Sequence, residues 1–309
     1  MQKNKAGGIF TALPALALLT SVLALPLVFV NFGKSENQVG AYFAFAALYL
    51  VSMGFPAVLY LVLRSESLPA KSYSAGFGTV PVILLGTVLL ILQSSILKFG
   101  IFRADFDYSV YSAYGSGFDV SSVSFPLKLL AAVLLGAVPA VLEEVIFRGI
   151  VFRDCGRYGF FYAAVVSSAL FAAVHFDLRG FFVYFAEGML LCHLMLLTET
   201  FLPVVAVHLI YNVFAIFVEK YMWLFLSSRD TSVLAWLIAV SLYLIALFFY
   251  LGAGEKILRK KAEKNEPRIF GTEKIGAAKL AARTLGSEPM ILEIILFIAV
   301  SVIFIAVGN

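Results

Sequence analysis

Long apolar runs separated by short polar segments dominate this chain. Eight of them are long enough to cross a bilayer, which takes about 20 residues of helix. They cover residues 9–30, 41–63, 79–97, 126–152, 158–176, 180–197, 203–225 and 233–251. A ninth run, 290–307, is shorter and contains Glu293 near its start. The pattern predicts an all-α, polytopic transmembrane helical bundle of eight spans with a ninth span after them.

The composition agrees with a membrane protein. The 309 residues are 61% hydrophobic and 14% charged, whereas a soluble domain carries about 25% charged residues. The net charge is +4, and no basic stripe with interleaved aromatic residues is present. We therefore expect contact with the lipid bilayer and no nucleic-acid partner. The first run is longer than the roughly 7–15 residues of a signal-peptide core, so we expect it to be retained.

The distribution of Lys and Arg predicts an orientation. Cations are concentrated in alternate loops, namely at Arg64, Lys71, Arg153, Arg157 and the insert 255–288. The positive-inside rule then places these loops and the N-terminus in the cytoplasm, most simply in a multi-pass plasma-membrane protein. The first part of the insert is expected to contact anionic headgroups. Residues 274–283 fit either an interfacial helix or a solvated loop.

Three regions follow from this pattern. Residues 1–124 hold the first three spans and an outer loop, and residues 125–226 hold the spans that carry buried polar groups. Residues 227–309 hold the eighth span, the basic insert and the ninth span. The two cysteines, Cys155 and Cys192, form neither a disulfide framework nor a CxxC metal motif.

The fourth run contains three charged residues at a depth where each costs at least a few kcal/mol. Glu144 and Arg148 are four residues apart, so they share a helix face and can pair. Glu143 points about 100° away and is expected to face a cavity. Pro139 cannot donate to the carbonyl of Leu135, so the helix is expected to open there. A Glu144–Arg148 pair that only fixes helix packing is the alternative, but it leaves Glu143 unexplained.

Two further polar pairs lie on later spans. Phe171 and His175 are four residues apart, as are His208 and Asn212. If they meet the glutamates, Glu143 and His175 can activate a water molecule toward an amide carbonyl. His208 and Asn212 can then stabilise the oxyanion. Interhelical packing, or a buried and satisfied histidine, is the alternative for each pair.

Taken together, these motifs resemble the three signature motifs of the CPBP family. This family comprises the CAAX proteases and bacteriocin-processing enzymes, and is also called the Abi or type II CAAX endopeptidase family. The motifs are Glu143-Glu144-x-x-x-Arg148 with Gly149 after it, Phe171-x-x-x-His175 and His208-x-x-x-Asn212. The resemblance covers residues 126–214 and implies an eight-helix intramembrane protease core.

The resemblance also implies an activity and a catalytic set. The activity is hydrolysis, without a cofactor, of a peptide bond in a membrane-associated or lipidated peptide or membrane protein. By motif, Glu143 and His175 activate water, and His208 and Asn212 form the oxyanion hole. Glu144 and Arg148 support the site.

Several alternatives stay open at this point. Zn²⁺ held by Glu143, His175 and His208 would make a metal-dependent form of the same peptidase. A non-catalytic immunity or scaffold protein could keep the same core. A proton-coupled transporter is disfavoured because the chain lacks internal repeats and pairs of broken helices. Glu187 and His193 lie outside the signature motifs, and we expect His193 to be buried and satisfied.

Overall fold

The computed structural model describes residues 5–30, 32, 35–64, 77–102, 118, 120, 123–226, 232–264 and 276–307. Within these ranges the secondary structure is helical and no strand occurs, as predicted. Several residues used to predict the orientation, among them Lys71 and Lys274, lie outside the described residues. The cytoplasmic position of the N-terminus therefore stays a prediction.

The helices are numbered here in chain order. They are α1 Lys5–Phe29, α2 Gln38–Arg64, α3 Val80–Phe102, α4 Phe125–Tyr158, α5 Phe160–Ala173, α6 Phe181–Thr198, α7 Phe201–Phe217, α8 Glu219–Leu226, α9 Ser232–Glu263, α10 Ala277–Leu285 and α11 Glu288–Val307. Seven of them are long and apolar enough to cross a membrane: α1, α2, α3, α4, α6, α9 and α11. Helices α5 and α7 are shorter apolar helices. The predicted polytopic helical bundle is confirmed, and the ninth apolar run forms α11.

Helix α5 is shorter than its apolar run. It ends at Ala173, and residues 174–176 form a turn instead of a further helical turn. Phe176 adopts a left-handed backbone conformation with φ of 51°, which stops helix propagation. His175 therefore lies in a turn just beyond the helix and not within it.

The seventh predicted span was wrong at its C-terminal end. The run to residue 225 is divided at Val218, where α7 has ended and α8 is about to begin. Glu219, the first residue of α8, is buried and lies 2.5 Å from the ammonium group of Lys98 on α3. A buried carboxylate needs such a partner, so the chain turns toward α3 here.

Helix α4 is interrupted by π-helical turns on both sides of the glutamates. These segments are Ala132–Ala137 and Val145–Phe152. The N–H of Val138 donates to the carbonyl of Val133, five residues earlier. Pro139 follows directly, so the opening predicted from this proline takes the form of a π turn. Such turns frequently occur at functional sites because they redirect the side chains that follow.

Helices α4, α5 and α6 pack closely behind the glutamates. The hydroxyl of Ser167 on α5 donates to the carbonyl of Phe147 on α4 at 2.8 Å. A Cβ atom at Gly188 on α6 would lie 2.9 Å from the Cα of Ser168. Only glycine allows this approach of α6 to α5.

Two ion pairs join the C-terminal ends of neighbouring helices. Arg64, at the end of α2, lies 2.9 Å from Asp154 near the end of α4. Lys261 on α9 lies 2.6 Å from Glu199, just after α6. The C-terminal ends of α2 and α4 therefore lie side by side, as do those of α6 and α9.

We expect Gly188→Ala to lower the stability of the protein, because the new methyl group must push α5 and α6 apart. Gly252→Ala on α9 is the matched control, since no atom lies within 4 Å of its added Cβ. There the gain in helix propensity should leave stability unchanged or raise it by up to about 1 kcal/mol. Thermal unfolding of the two purified variants in detergent checks this. Equal melting temperatures would contradict the close packing.

Candidate active site

Glu144 is the centre of a buried polar cluster. Its Oε1 atom accepts a hydrogen bond from Nη1 of Arg148 at 2.7 Å and another from Nδ1 of His208 at 2.7 Å. Glu144 and Arg148 are fully buried and His208 is 4% exposed. The predicted pair on α4 is therefore present, and it also binds the histidine of α7.

The guanidinium group of Arg148 extends this cluster to two more helices. Its Nη2 atom donates to the carbonyl oxygen of Gly188 on α6 at 3.3 Å. Its Cζ atom lies 4.6 Å from the ring centre of Phe171 on α5, a distance typical of a cation–π contact. One side chain of α4 thus holds α5 and α6 in place around the glutamates.

Glu143 has a hydrogen-bond partner that the sequence did not predict. It is buried and accepts a 2.9 Å hydrogen bond at Oε1 from the hydroxyl of Tyr49 on α2. Its Oε2 atom lies 3.6 Å from Nε2 of His208. The sequence gives no signal for Tyr49, which is one of many aromatic residues in an apolar span. The Tyr49 contact leaves Oε2 as the oxygen directed toward the histidine.

His175 joins the cluster through an aromatic ring. Its Nδ1 atom lies 2.7 Å from the carbonyl oxygen of Phe171, and its ring stacks on Tyr184 with ring centres 3.9 Å apart. A proton on Nδ1 satisfies that carbonyl and leaves the lone pair on Nε2. The ring of Phe171 also contacts His208, with centres 5.8 Å apart. The structure therefore brings the second and third motifs together around Phe171.

Asn212 connects α7 with the first π-helical turn of α4. Its side-chain amide donates to the carbonyl oxygen of Gly136 at 3.2 Å. A Cβ atom added at Gly136 would already contact side chains of α7, for example Leu209 at 3.7 Å. The small residue allows α7 to approach α4, and so brings His208 close to both glutamates.

The predicted zinc ligands do not form a recognisable metal site. Among the residues that the structure describes, no group of three or more His, Cys, Asp and Glu side chains has an arrangement that could hold a metal ion. Both ring nitrogens of His208 are directed toward carboxylates.

The two polar residues outside the motifs have different surroundings. Nδ1 of His193 lies 3.0 Å from the hydroxyl of Tyr250 on α9, in a half-buried packing contact. His193 therefore has the predicted hydrogen-bond partner, but it is only half-buried and not fully buried as predicted. Glu187 is 3% exposed and accepts a 2.7 Å hydrogen bond from the hydroxyl of Tyr211.

Glu187 belongs to a second buried polar cluster that the sequence did not reveal. We call it the Lys98 cluster; its members are Ser94, Lys98, Glu187, Tyr211 and Glu219. The hydroxyl of Tyr211 lies 2.6 Å from the hydroxyl of Ser94 and accepts from Lys98 at 3.1 Å. These residues come from α3, α6, α7 and α8, and the cluster fixes α7 one turn beyond His208.

Comparison with known proteins supports the family resemblance. Residues 125–214 match the family model described as "Type II CAAX prenyl endopeptidase Rce1-like". This segment contains all six predicted site residues. The match covers less than a third of the chain. Helices α1–α3 and α8–α11 lie outside the matched segment.

A curated relative is similar to part of this chain. The protein "Putative membrane peptidase YdiL" of Bacillus subtilis (strain 168) is 32% identical over 95 residues. This alignment covers 30% of the present chain and 38% of the relative. No solved structure matches the chain.

We expect Tyr211→Phe to destabilise the protein by about 1–3 kcal/mol, because it leaves buried polar partners unsatisfied. Tyr243→Phe is the matched control, since the Tyr243 hydroxyl makes a 3.2 Å bond to Gln93 in a less buried position. Its expected effect is small. Thermal unfolding in detergent compares the two variants. A Tyr211 variant as stable as the control would show that the Lys98 cluster does not hold α7.

Proposed function

We propose that this chain is an intramembrane endopeptidase of the CPBP type. It hydrolyses a peptide bond in a membrane-associated or lipidated peptide or protein. The observation that carries this proposal is the buried cluster in which His208 lies between Glu143 and Glu144. The family model that matches residues 125–214 supports a protease activity. The seven long apolar helices support an active site within the membrane.

In this mechanism Glu143 and His175 activate the attacking water molecule. The hydroxyl of Tyr49 holds Oε1 of Glu143, so Oε2 accepts the proton of the attacking water. The water oxygen then bonds to the carbonyl carbon of the substrate. The proton is passed to the nitrogen of the leaving amine as the C–N bond breaks. His175 presents its Nε2 lone pair as the second acceptor for that water, because Nδ1 is turned to Phe171.

His208 and Asn212 stabilise the oxyanion by donating hydrogen bonds to it. Because Nδ1–H of His208 donates to Glu144, donation from Nε2 requires a proton on both nitrogens. The resulting imidazolium and Arg148 then balance the charges of the two glutamates. An asparagine amide has two N–H donors, and the bond to Gly136 uses one of them. Donors fixed in this way stabilise developing charge without reorganising.

The decisive experiment is cleavage of a peptide library by the detergent-purified protein and by Glu143→Gln. The amide keeps the shape of Glu143 but cannot accept the proton, and a general base contributes typically 10²–10⁴-fold. We therefore expect a loss of at least about 100-fold. Glu263→Gln is the control, since Glu263 is exposed and pairs with Arg259 within α9. Its activity should equal that of the unchanged protein.

Two outcomes would contradict the proposal. Cleavage kept by both Glu143→Gln and His175→Ala would mean that these residues are not catalytic. A second outcome is that neither the unchanged protein nor the variants cleave any peptide, while the biological effect of the chain survives both substitutions. The core would then serve as a non-catalytic scaffold.

Removal of metal ions tests the zinc-dependent alternative. We expect the purified protein to keep its activity after treatment with a zinc chelator, because the proposed base and oxyanion donors are protein groups. Activity is measured before and after chelation and again after addition of Zn²⁺. If activity is lost on chelation and recovered on addition of Zn²⁺, Glu143, His175 and His208 are zinc ligands instead.

A further inference from the structure

We infer that Ser301 on α11 is a positioning residue for His175, and that α11 completes the active site. This inference rests on the proposed function. Helix α11 lies outside the segment that matches the family. Its Ser301 hydroxyl nevertheless donates a 2.9 Å hydrogen bond to the carbonyl oxygen of Phe176, the residue after His175. The bond joins positions 125 residues apart in the chain.

The turn that receives this bond is strained. Phe176 has φ of 51°, and the left-handed conformation is unfavourable for a residue that is not glycine. Such a conformation persists only where the surroundings hold it. Both Phe176 and Ser301 are almost fully buried, so water does not replace the hydroxyl. The Ser301 bond is therefore a restraint on this turn from outside α5.

Helix α11 is itself fixed on both sides of Ser301. Toward its N-terminus, Glu293 accepts a hydrogen bond from Ser21 on α1 at 2.5 Å. Toward its C-terminus, the ring of Phe304 stacks on Phe29, with centres 5.8 Å apart. Two contacts with α1 thus prevent α11 from following the turn if the turn moves.

A third contact ties α11 to the other side of the turn. The ring of Phe297 packs against Phe181, the first residue of α6, with centres 5.5 Å apart. Tyr184, one turn further along α6, carries the ring that stacks on His175. Helix α11 therefore contacts the backbone directly after His175 and also the start of the helix that supports the imidazole.

The consequence for catalysis follows from the position of Phe176. The restrained carbonyl belongs to the peptide unit between Phe176 and Asp177. A change there alters the backbone of Phe176, and so moves the Cα of His175 and turns its ring away from Phe171 and Tyr184. A misplacement of about 1 Å can cost about 100-fold in rate. Loss of the Ser301 hydroxyl should thus reduce the rate of the chemical step while leaving substrate binding intact.

The test compares kcat and KM for Ser301→Ala, Ser301→Thr and Ser241→Ala in the full-length protein. We expect Ser301→Ala to lower kcat at least fivefold with KM unchanged, and the hydroxyl of Ser301→Thr to restore most of the rate. Ser241 is the matched control, because its exposed hydroxyl bonds only within α9, to the carbonyl of Leu237. The folded fraction of each variant is measured by thermal unfolding, and kcat is expressed per folded molecule.

The outcomes separate this inference from the proposed function. If His175→Ala abolishes cleavage and Ser301→Ala keeps kcat within twofold, Ser301 does not position the histidine. A loss that disappears when kcat is corrected for the folded fraction also overturns the inference, because Ser301 is then only structural. If Ser301→Thr folds like the unchanged protein but stays as slow as Ser301→Ala, the hydroxyl is not the cause. Cleavage kept by His175→Ala overturns the proposed function itself.

Discussion

The need to neutralise charge inside an apolar bundle governs this structure. Glu144 has no exposed surface, and one of its oxygens accepts hydrogen bonds from both Arg148 and His208. Removing one partner of a buried ion pair typically costs 3–5 kcal/mol, since an uncompensated charge remains. The arginine in turn contacts Gly188 and Phe171. The arrangement of α4, α5, α6 and α7 thus depends on satisfying one carboxylate.

Helix α7 is held by two polar clusters on successive turns. His208 is bound by Glu144, and Tyr211 is bound by Glu187 and Lys98 of the Lys98 cluster. Networks of this kind specify one arrangement, because any shift of the helix leaves several buried groups unpaired at once. The result is a rigid support for His208 and Asn212, as a preorganised site requires.

Local features were predictable from the sequence, and features between helices were not. The apolar runs located the helices, and the four-residue spacing gave the Glu144–Arg148 pair. The partner of Glu143 was missed because Tyr49 lies 94 residues away on α2, and nothing in its local sequence indicates that contact. The break at Val218 was missed for the same reason, since it follows from the pairing of Glu219 with Lys98. The proximity of the three motifs depends on how the helices pack. The spacing of residues along the sequence is compatible with that proximity but does not require it.

The contact between Ser301 and Phe176 has a consequence for biogenesis. Helices enter a membrane in the order of synthesis, so α4 to α7 are in place well before α11 is made. Until then the strained turn after His175 lacks its external restraint, and the nascent chain holds an incomplete site. Under the proposed function, the site would reach its full rate only once α11 has packed against this turn.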